Sequence, residues 1–550
     1  MTALDSSPHP LYANMFDPGA GPPTITEAFL SQVDRRGNAP AILDERLDVV
    51  FTWRQYGTAA RRAASGLRVI GLRRGDTVGL LLTNRPEFHV ADIAVLLAGG
   101  TPFSLYQSSA PEQLAEILSN SMCRVVVTEP QFESTLQAAL RLVDAPAPHV
   151  VTVGTSSWTS LMATPPAEPD RHAGLPTDLA TVVYTSGTTG TPKGAELTHH
   201  AIMTTATHLA KDLGVRRDMR SISYLPMAHI AERIASHYLP MITGSSIVCC
   251  RDARRLLPLL NQTQPEIFFS PPRLWEKLKA ATARAVEAGV DPEVIRDKIG
   301  LGRIEVALVG AAPCPPGVVD YFRSIGVPLR EIYGVTETAG VVSISTLDDA
   351  GCVGMPLPHN EIRVAEDGEL FVRSAAVMLR YRDRPEATNL VLDAQGWLRT
   401  GDIGRIDDDG RIWILDRKKD LIVNSSGEKV SPANIEARLR DAGPLIEHAC
   451  VIGNGRPYNV ALIVVDPGRA AQYPTGDALA AAVQAHIDRA NQRLSRGEQV
   501  TRFALVTETW LPNSDELTAT MKLRRRAIVR KYVGQIDALY AVPLAGPDRR

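Results

Sequence analysis

Between Gly75 and Val127 strand-like and helix-like stretches take turns, and this alternation restricts the fold more than any other feature of the chain. Gly75-Asp76-Thr77 turns into an apolar run at 78–82. A helix is predicted over 86–97, ended by Gly99-Gly100, and then a strand at 101–103, a helix at 111–119 and the run Arg124-Val125-Val126-Val127. Strands separated by helices predict a parallel sheet covered on both faces. Upstream, the pattern predicts a helix over 25–33, an apolar strand at 41–43 and a helix from Thr52 to about Ile70. A chain of 550 residues exceeds one core and has room for roughly three or four domain-sized units.

The next constraint is chemical. Ala180-Thr181-Val182-Val183-Tyr184 reads as a short buried strand, and Thr198 offers a hydroxyl cap to a helix starting at His199-His200. Between them runs Tyr184-Thr185-Ser186-Gly187-Thr188-Thr189-Gly190-Thr191-Pro192-Lys193-Gly194. Glycines let backbone N–H groups turn toward an anion, hydroxyls add donors, and Lys193 adds a positive charge. These residues suit a polyphosphate. The order is not that of the Walker loop, because Pro192 precedes the lysine and Gly194 follows it.

Further motifs follow in order. Ser223 to Arg233 contains Leu225-Pro226-Met227-Ala228-His229-Ile230-Ala231-Glu232-Arg233, and a strand at 304–309 ends in Gly310-Ala311-Ala312-Pro313. Small residues there would let a planar base approach the backbone. Tyr333-Gly334-Val335-Thr336-Glu337-Thr338 offers an aromatic ring, a glycine turn, a hydroxyl and a carboxylate. These fit one nucleotide, with Tyr333 stacking, Thr336 on a phosphate and Glu337 on magnesium. Residues 351–416 change to short alternating runs and Gly-Asp turns, the pattern of an antiparallel β subdomain. Asp402 stands in one such turn, and the charged run Asp416-Arg417-Lys418-Lys419-Asp420 follows it. After Ser426-Gly427-Glu428-Lys429, a small α+β unit is predicted, closing with Lys522-Leu523-Arg524-Arg525-Arg526.

Taken together, the ordered motifs resemble the acyl-adenylating (AMP-binding) superfamily over about residues 25–535. The His229 segment is most similar to the long-chain fatty-acyl-CoA synthetase branch. The resemblance implies an α/β fold with two αβαβα-type subdomains and a β subdomain in a large N-terminal domain (1–416). A hinge (417–420) and a small mobile C-terminal α+β domain (421–550) would follow. It implies ATP and CoA as co-substrates and magnesium as the metal. Thr185, Ser186, Gly187, Thr188, Thr189, Gly190 and Lys193 would grip the phosphates, with Thr185 and Glu337 at the metal. Gly310, Ala311, Ala312, Tyr333, Gly334 and Thr336 would hold adenine and phosphate, Asp402 the ribose hydroxyls and Arg417 the nucleotide. Lys419 would be the pivot, Gly427 would leave room for the pantetheine arm, and Lys522 would bridge the substrate carboxylate and the α-phosphate. His229 would shape the acyl site and position the carboxylate, which is already ionised at neutral pH and needs no base. The arginines after Lys522 are expected to begin an exposed helix.

The implied reaction is ATP-dependent conversion of a fatty acid to acyl-AMP and then acyl-CoA. Three other readings are weighed beside it. One is a fatty acyl-AMP ligase loading a carrier protein, and another is a ligase for medium-chain or sterol-side-chain acids. The third, of a different class, is a non-catalytic nucleotide or lipid sensor. A net charge of −2 gives no steering toward nucleic acid. Six scattered cysteines, without paired spacing, read as reduced thiols of a cytosolic protein. Residues 1–23 lack a basic start and an apolar run, and no stretch reaches ~20 apolar residues. A cytoplasmic protein is therefore expected, with peripheral membrane contact and a homodimer left open.

Overall fold

The computed structural model describes residues 23–144, 146–167, 174–185, 192–349, 351–425, 429–511, 514–518 and 521–541. The predicted alternation becomes a four-stranded parallel sheet. Its order is Thr101–Ser104, Thr77–Leu81, Val125–Thr128 and His149–Thr152. A nine-stranded sheet stands beside it, with six parallel strands running from Leu329–Tyr333 through Val306–Gly310, Ile267–Ser270, Arg220–Ser223 and Ser246–Cys249 to Pro40–Leu43. The helix Pro86–Leu97 lies in the largest core cluster, and every residue from Phe88 to Leu97 is buried. A helix apolar on nearly all sides has no solvent face to offer. The helix Trp53–Val69 packs against it, started by Thr52 and Gln55 in a reciprocal capping box.

The stretch after the phosphate-type loop differs from the sequence expectation. Lys193–Thr198, whose first two residues the sequence places in the loop, is a strand pairing antiparallel with Leu179–Thr185. Thr198 then caps the helix His199–Asp212, as expected. The loop therefore joins two strands of a hairpin rather than a strand and a helix. Arg380–Tyr381 pairs on the free edge of Lys193–Thr198. The other edge of the hairpin meets the parallel sheet, where Thr181 Oγ1 donates to Pro102 O at 2.8 Å. Gly194 packs where a Cβ would lie 2.7 Å from Val182 and 2.9 Å from the Tyr184 ring.

Residues 360–417 form the expected antiparallel sheet, in the order Asn360–Val364, Glu369–Ser374, Leu398–Ile406 and Ile412–Arg417. The C-terminal unit is built on Ile446–Ile452, Asn459–Val465 and Val500–Val506. Alternation along its strands sends Ala449, Val451, Ala461 and Ile463 to one face, under the helices Pro432–Asp441 and Gly476–Asn491. Cys450, Leu462 and Val464 go to the other face, under Arg525–Lys531 and Val533–Ala541. Successive side chains of a strand point oppositely, so one short sheet serves two layers.

Candidate functional site

Three elements meet at the end of the nine-stranded sheet. Leu329–Tyr333 delivers Tyr333, and the chain then turns through Gly334 into the short 3-10 helix Thr336–Thr338. Gly334 is required there, since a Cβ would stand 2.3 Å from the Gly340 carbonyl oxygen. The neighbouring strand ends at Gly310, whose Cβ would lie 2.5 Å from Ile332 Cγ1. Ala311 follows with φ of +66°, a left-handed conformation uncommon outside glycine, and Ala312 is exposed. Thr336 and Glu337 are half-buried at the same edge.

Leu398–Ile406 and Ile412–Arg417 approach from the β subdomain, with Asp402 opposite Arg417 in register. Arg417 Nε donates to Asp402 Oδ1 at 2.7 Å, and Tyr333 Oη donates to Oδ2 at 2.8 Å. Asp402 is almost fully buried, whereas 43% of the Arg417 side chain is exposed. Burial raises the Asp402 carboxyl above its ordinary value while the Arg417 charge pulls it down. Arg417 is held charged by Asp402 against its own desolvation. A guanidinium and a phenol at hydrogen-bond distance favour the ionised form of Asp402 against that burial.

The hairpin supplies a third group. Thr185 and Lys193 are opposed in register where the loop leaves the sheet, and Lys193 Nζ sits 5.4 Å from the centroid of the Tyr381 ring. Tyr381 Oη donates to Glu337 Oε1 at 2.6 Å. A carboxylate with a second oxygen to spare suits magnesium, which takes one or two protein carboxylates and completes its shell with phosphates and water. No cluster of three or more acidic, His or Cys ligands occurs among the described residues, and this metal does not require one. Ser186, Gly187, Thr188, Thr189 and Gly190, and likewise Gly427, lie outside the described residues.

Lys522 enters from the C-terminal unit on a tight turn. Its N–H donates to Thr518 Oγ1 at 2.9 Å and its carbonyl accepts from Thr518 N at 2.8 Å. Met521, just before it, has φ of +64°. The lysine is surrounded by protein yet its side chain remains open to water, as it would in a cleft. Desolvation, helped by Arg417 and Lys419, pulls its pKa down to about 8, while Asp402 and Glu337 oppose the shift. Lys419 is itself lowered by burial. The structure thus brings Lys522 within electrostatic reach of Asp402, Glu337, Arg417 and Lys419, residues more than a hundred positions away along the chain.

His229 caps the helix Ile230–Arg233, with Nδ1 accepting from Ala231 N at 3.2 Å. Burial, and then the Lys522 charge, push its pKa down to about 3. It is a neutral ring with its Nδ1 engaged, suited to positioning and unsuited to acting as an acid. The rest of this segment is tied down below the cleft. Glu232 accepts from Ser223 Oγ at 2.9 Å, Tyr224 N at 3.0 Å and Asn84 Nδ2 at 3.3 Å. Arg233 is buried against Asp92, Ser104 and Tyr238. It opens the π-helical turn Ile234–Tyr238.

Sequence reasoning missed Tyr381, which joins Lys193 to Glu337, and Glu196, a buried carboxylate clamped by Arg380 and Arg382. A tyrosine between two arginines carries no signal until Arg380–Tyr381 is seen pairing with the hairpin. The expectation of an exposed helix begun by the arginines after Lys522 holds for Arg526, Arg530 and Lys531 but not for Arg525. Arg525 is largely buried and grips Glu436 with both Nη atoms, at 2.6 and 3.0 Å, because its helix covers the C-terminal sheet.

Comparisons with known proteins show the family and the fold. The fatty-acid–CoA ligase FadD11 of Mycobacterium tuberculosis, named as putative, is 36% identical over 453 residues, covering 71% of this chain and 79% of the relative. The long-chain-fatty-acid–CoA ligase FadD15 of Mycobacterium bovis is 32% identical over 552 residues, covering 87% and 90%. Among solved structures, the anthranilate CoA ligase AuaEII in complex with anthranoyl-AMP superposes with a TM-score of 0.81 at 21% identity. That match covers 95% of this chain and all of the other, and it establishes the shared fold. The AMP-binding enzyme family model matches residues 29–382, and its C-terminal domain model matches residues 419–543. The chain belongs to the AMP-binding enzyme family.

Proposed function

We propose that this protein activates a long-chain fatty acid with ATP and transfers the acyl group to CoA. The observation that carries the reading is the meeting of Lys522 with Asp402, Arg417 and Glu337 beside the neutral His229. The difficulty of the first step is electrostatic, since two anions must meet. The fatty acid carboxylate attacks the α-phosphate, and pyrophosphate leaves. Lys522 neutralises the carboxylate and α-phosphate where charge accumulates, which is worth most in a site shielded from bulk water. Lys193 holds the leaving phosphates, Asp402 accepts the ribose hydroxyls, and Tyr333 flanks the base. Magnesium, held through Glu337, would screen the phosphate charge.

In the second step the CoA thiol attacks the acyl-AMP carbonyl and AMP leaves. Lys522 has no part in that step, so the C-terminal unit is free to turn about Lys419 and present the segment containing Gly427. The long-chain assignment draws on FadD15, whose name specifies long-chain fatty acids. AMP release from ATP, measured with and without CoA across octanoate, palmitate and a steroid acid, tests the whole reading. The expected result is CoA-dependent turnover that is fastest with palmitate. Acyl-AMP that accumulates regardless of CoA would point to a carrier-protein acceptor. No AMP with any acid would leave only a sensor.

A further inference from the structure

Lys522 belongs to the C-terminal unit and must be held in a cleft built by the N-terminal one. The helix Pro432–Asp441 lies between the two and is fixed at both ends. At its start, beside the crossing point, Asp416 Oδ2 accepts from Ser431 Oγ at 2.6 Å and from Ala433 N at 3.0 Å. At its far end it meets the helix Pro272–Glu287 of the N-terminal unit. There Lys279 Nζ contacts Asp441 at 3.1 Å, and Arg440 contacts Glu276 at 3.6 Å. Arg273 reaches Glu447, just beyond, at 3.1 Å. All six side chains are between 16% and 28% exposed, so their charges are only partly screened.

Within the C-terminal unit the same helix carries Glu436, which binds Arg525 through both carboxylate oxygens. Arg525 is three residues from Lys522 and also donates to Val451 O at 2.9 Å. A set of charged contacts therefore runs from the Pro272 helix, through the Pro432 helix, to Arg525, which the backbone joins to the lysine. The helix is ten residues long, so its far end is roughly 15 Å from its start. Contacts at that distance from the crossing point fix orientation far better than contacts beside it.

We infer that Arg273, Glu276 and Lys279 form a charged ledge on which Glu447, Arg440 and Asp441 seat the C-terminal unit. They are positioning residues for Lys522 in the first half-reaction. The inference rests on the two-step reading above. The ledge alternates in sign, basic-acidic-basic, and meets an acidic-basic-acidic row, so a slip of one position along it would set like charges against each other. Like charges brought together at such a contact are strongly disfavoured.

The test is charge reversal and exchange in the full-length protein. Acyl-AMP formation is read by ATP–pyrophosphate exchange, and the second step by thioester formation from supplied acyl-AMP and CoA. Asp441→Lys should slow acyl-AMP formation roughly tenfold and leave the second step unchanged or faster. Lys279→Glu combined with Asp441→Lys should restore acyl-AMP formation to within about threefold of the parent. Arg273→Glu with Glu447→Arg provides an independent exchange with the same expected pattern. A fold defect would depress both steps and would not be rescued by exchange. The inference is overturned if reversal is silent, if both steps fall together, or if neither exchange rescues. A parent protein that forms no acyl-AMP at all would overturn the two-step reading along with it.

Discussion

Two charge clusters, both reached from the His229 segment, are built in opposite ways. Below it, Asp92 is shared by Arg233 and His237, and His237 Nδ1 lies 2.9 Å from His89 Nδ1. All four side chains are inaccessible to solvent. One set of protons fits this chain. His237 donates from Nε2 to Asp92, His89 donates to His237 Nδ1, and both rings are neutral. Burial keeps both histidines below their ordinary pKa, and Arg233 keeps Asp92 ionised against the cost of its burial. Beside the segment, Arg417, Lys419 and Lys522 crowd around Asp402 and Glu337, with the cations open to water. The lower cluster is matched from within and has no work for a ligand. The cleft keeps its cations exposed beside Asp402, Glu337 and Asp420, where they can meet an incoming polyphosphate.

The largest effect should come from breaking the closed cluster. Arg233→Ala strands Asp92 without its cation, which should cost about 3–5 kcal/mol of stability. Urea unfolding would show a lowered midpoint at unchanged slope. If the cost is below ~1 kcal/mol, the cluster is not the keystone that its burial implies.

The cleft should behave in the reverse sense. Lys522→Ala should leave the unfolding midpoint in place while lowering acyl-AMP formation by roughly 10²–10³-fold, with conversion of supplied acyl-AMP retained. Lys522→Arg should remove a pH dependence. Lysine is needed charged, and desolvation in this cleft lowers its pKa to about 8. Acyl-AMP formation at low ATP should therefore be full well below that pH and fall as pH rises through it. Arginine stays charged throughout, so a variant retaining the same alkaline limb would separate the pH dependence from Lys522.

The smallest change concerns Tyr381→Phe, which deletes the hydroxyl on Glu337 and keeps the ring under Lys193. A single lost hydrogen bond to a charged group is worth ~1.5–3 kcal/mol at most. The expected signature is a raised magnesium requirement at near-normal stability. An unchanged magnesium dependence would place Tyr381 in packing alone.

Much of this molecule was legible because its chemistry is carried by short contiguous segments. The strands and helices from 25 to 127 follow from periodicity and capping residues such as Thr52. Tyr333, Glu337, Asp402, Arg417 and Lys522 stand in local patterns that name their chemistry. Lys193–Thr198 was missed because KGAELT has neither clean alternation nor β-branched enrichment. It is a strand because Leu179–Thr185 and Arg380–Tyr381 pair with it, and pairing partners are tertiary facts. Arg525 was misread for the same reason, as nothing near it announces Glu436, 89 positions earlier. Long-range polar contacts have no local sequence signature, and both Tyr381 and the charged ledge belong to that class.

The strand order of the nine-stranded sheet has a consequence for how the chain is made. Pro40–Leu43 takes its place beside Ser246–Cys249, with Ile42 opposite Ile247. At ribosomal speeds of ~5–20 residues per second, the partner emerges about 10–40 s after the first strand. Throughout that interval three residues destined for complete burial have one strand partner, Val49–Thr52, and lack the other. Synthesis thus asks the opening segment to wait, and chaperone dependence of the nascent chain should be concentrated between the emergence of residues 43 and 249.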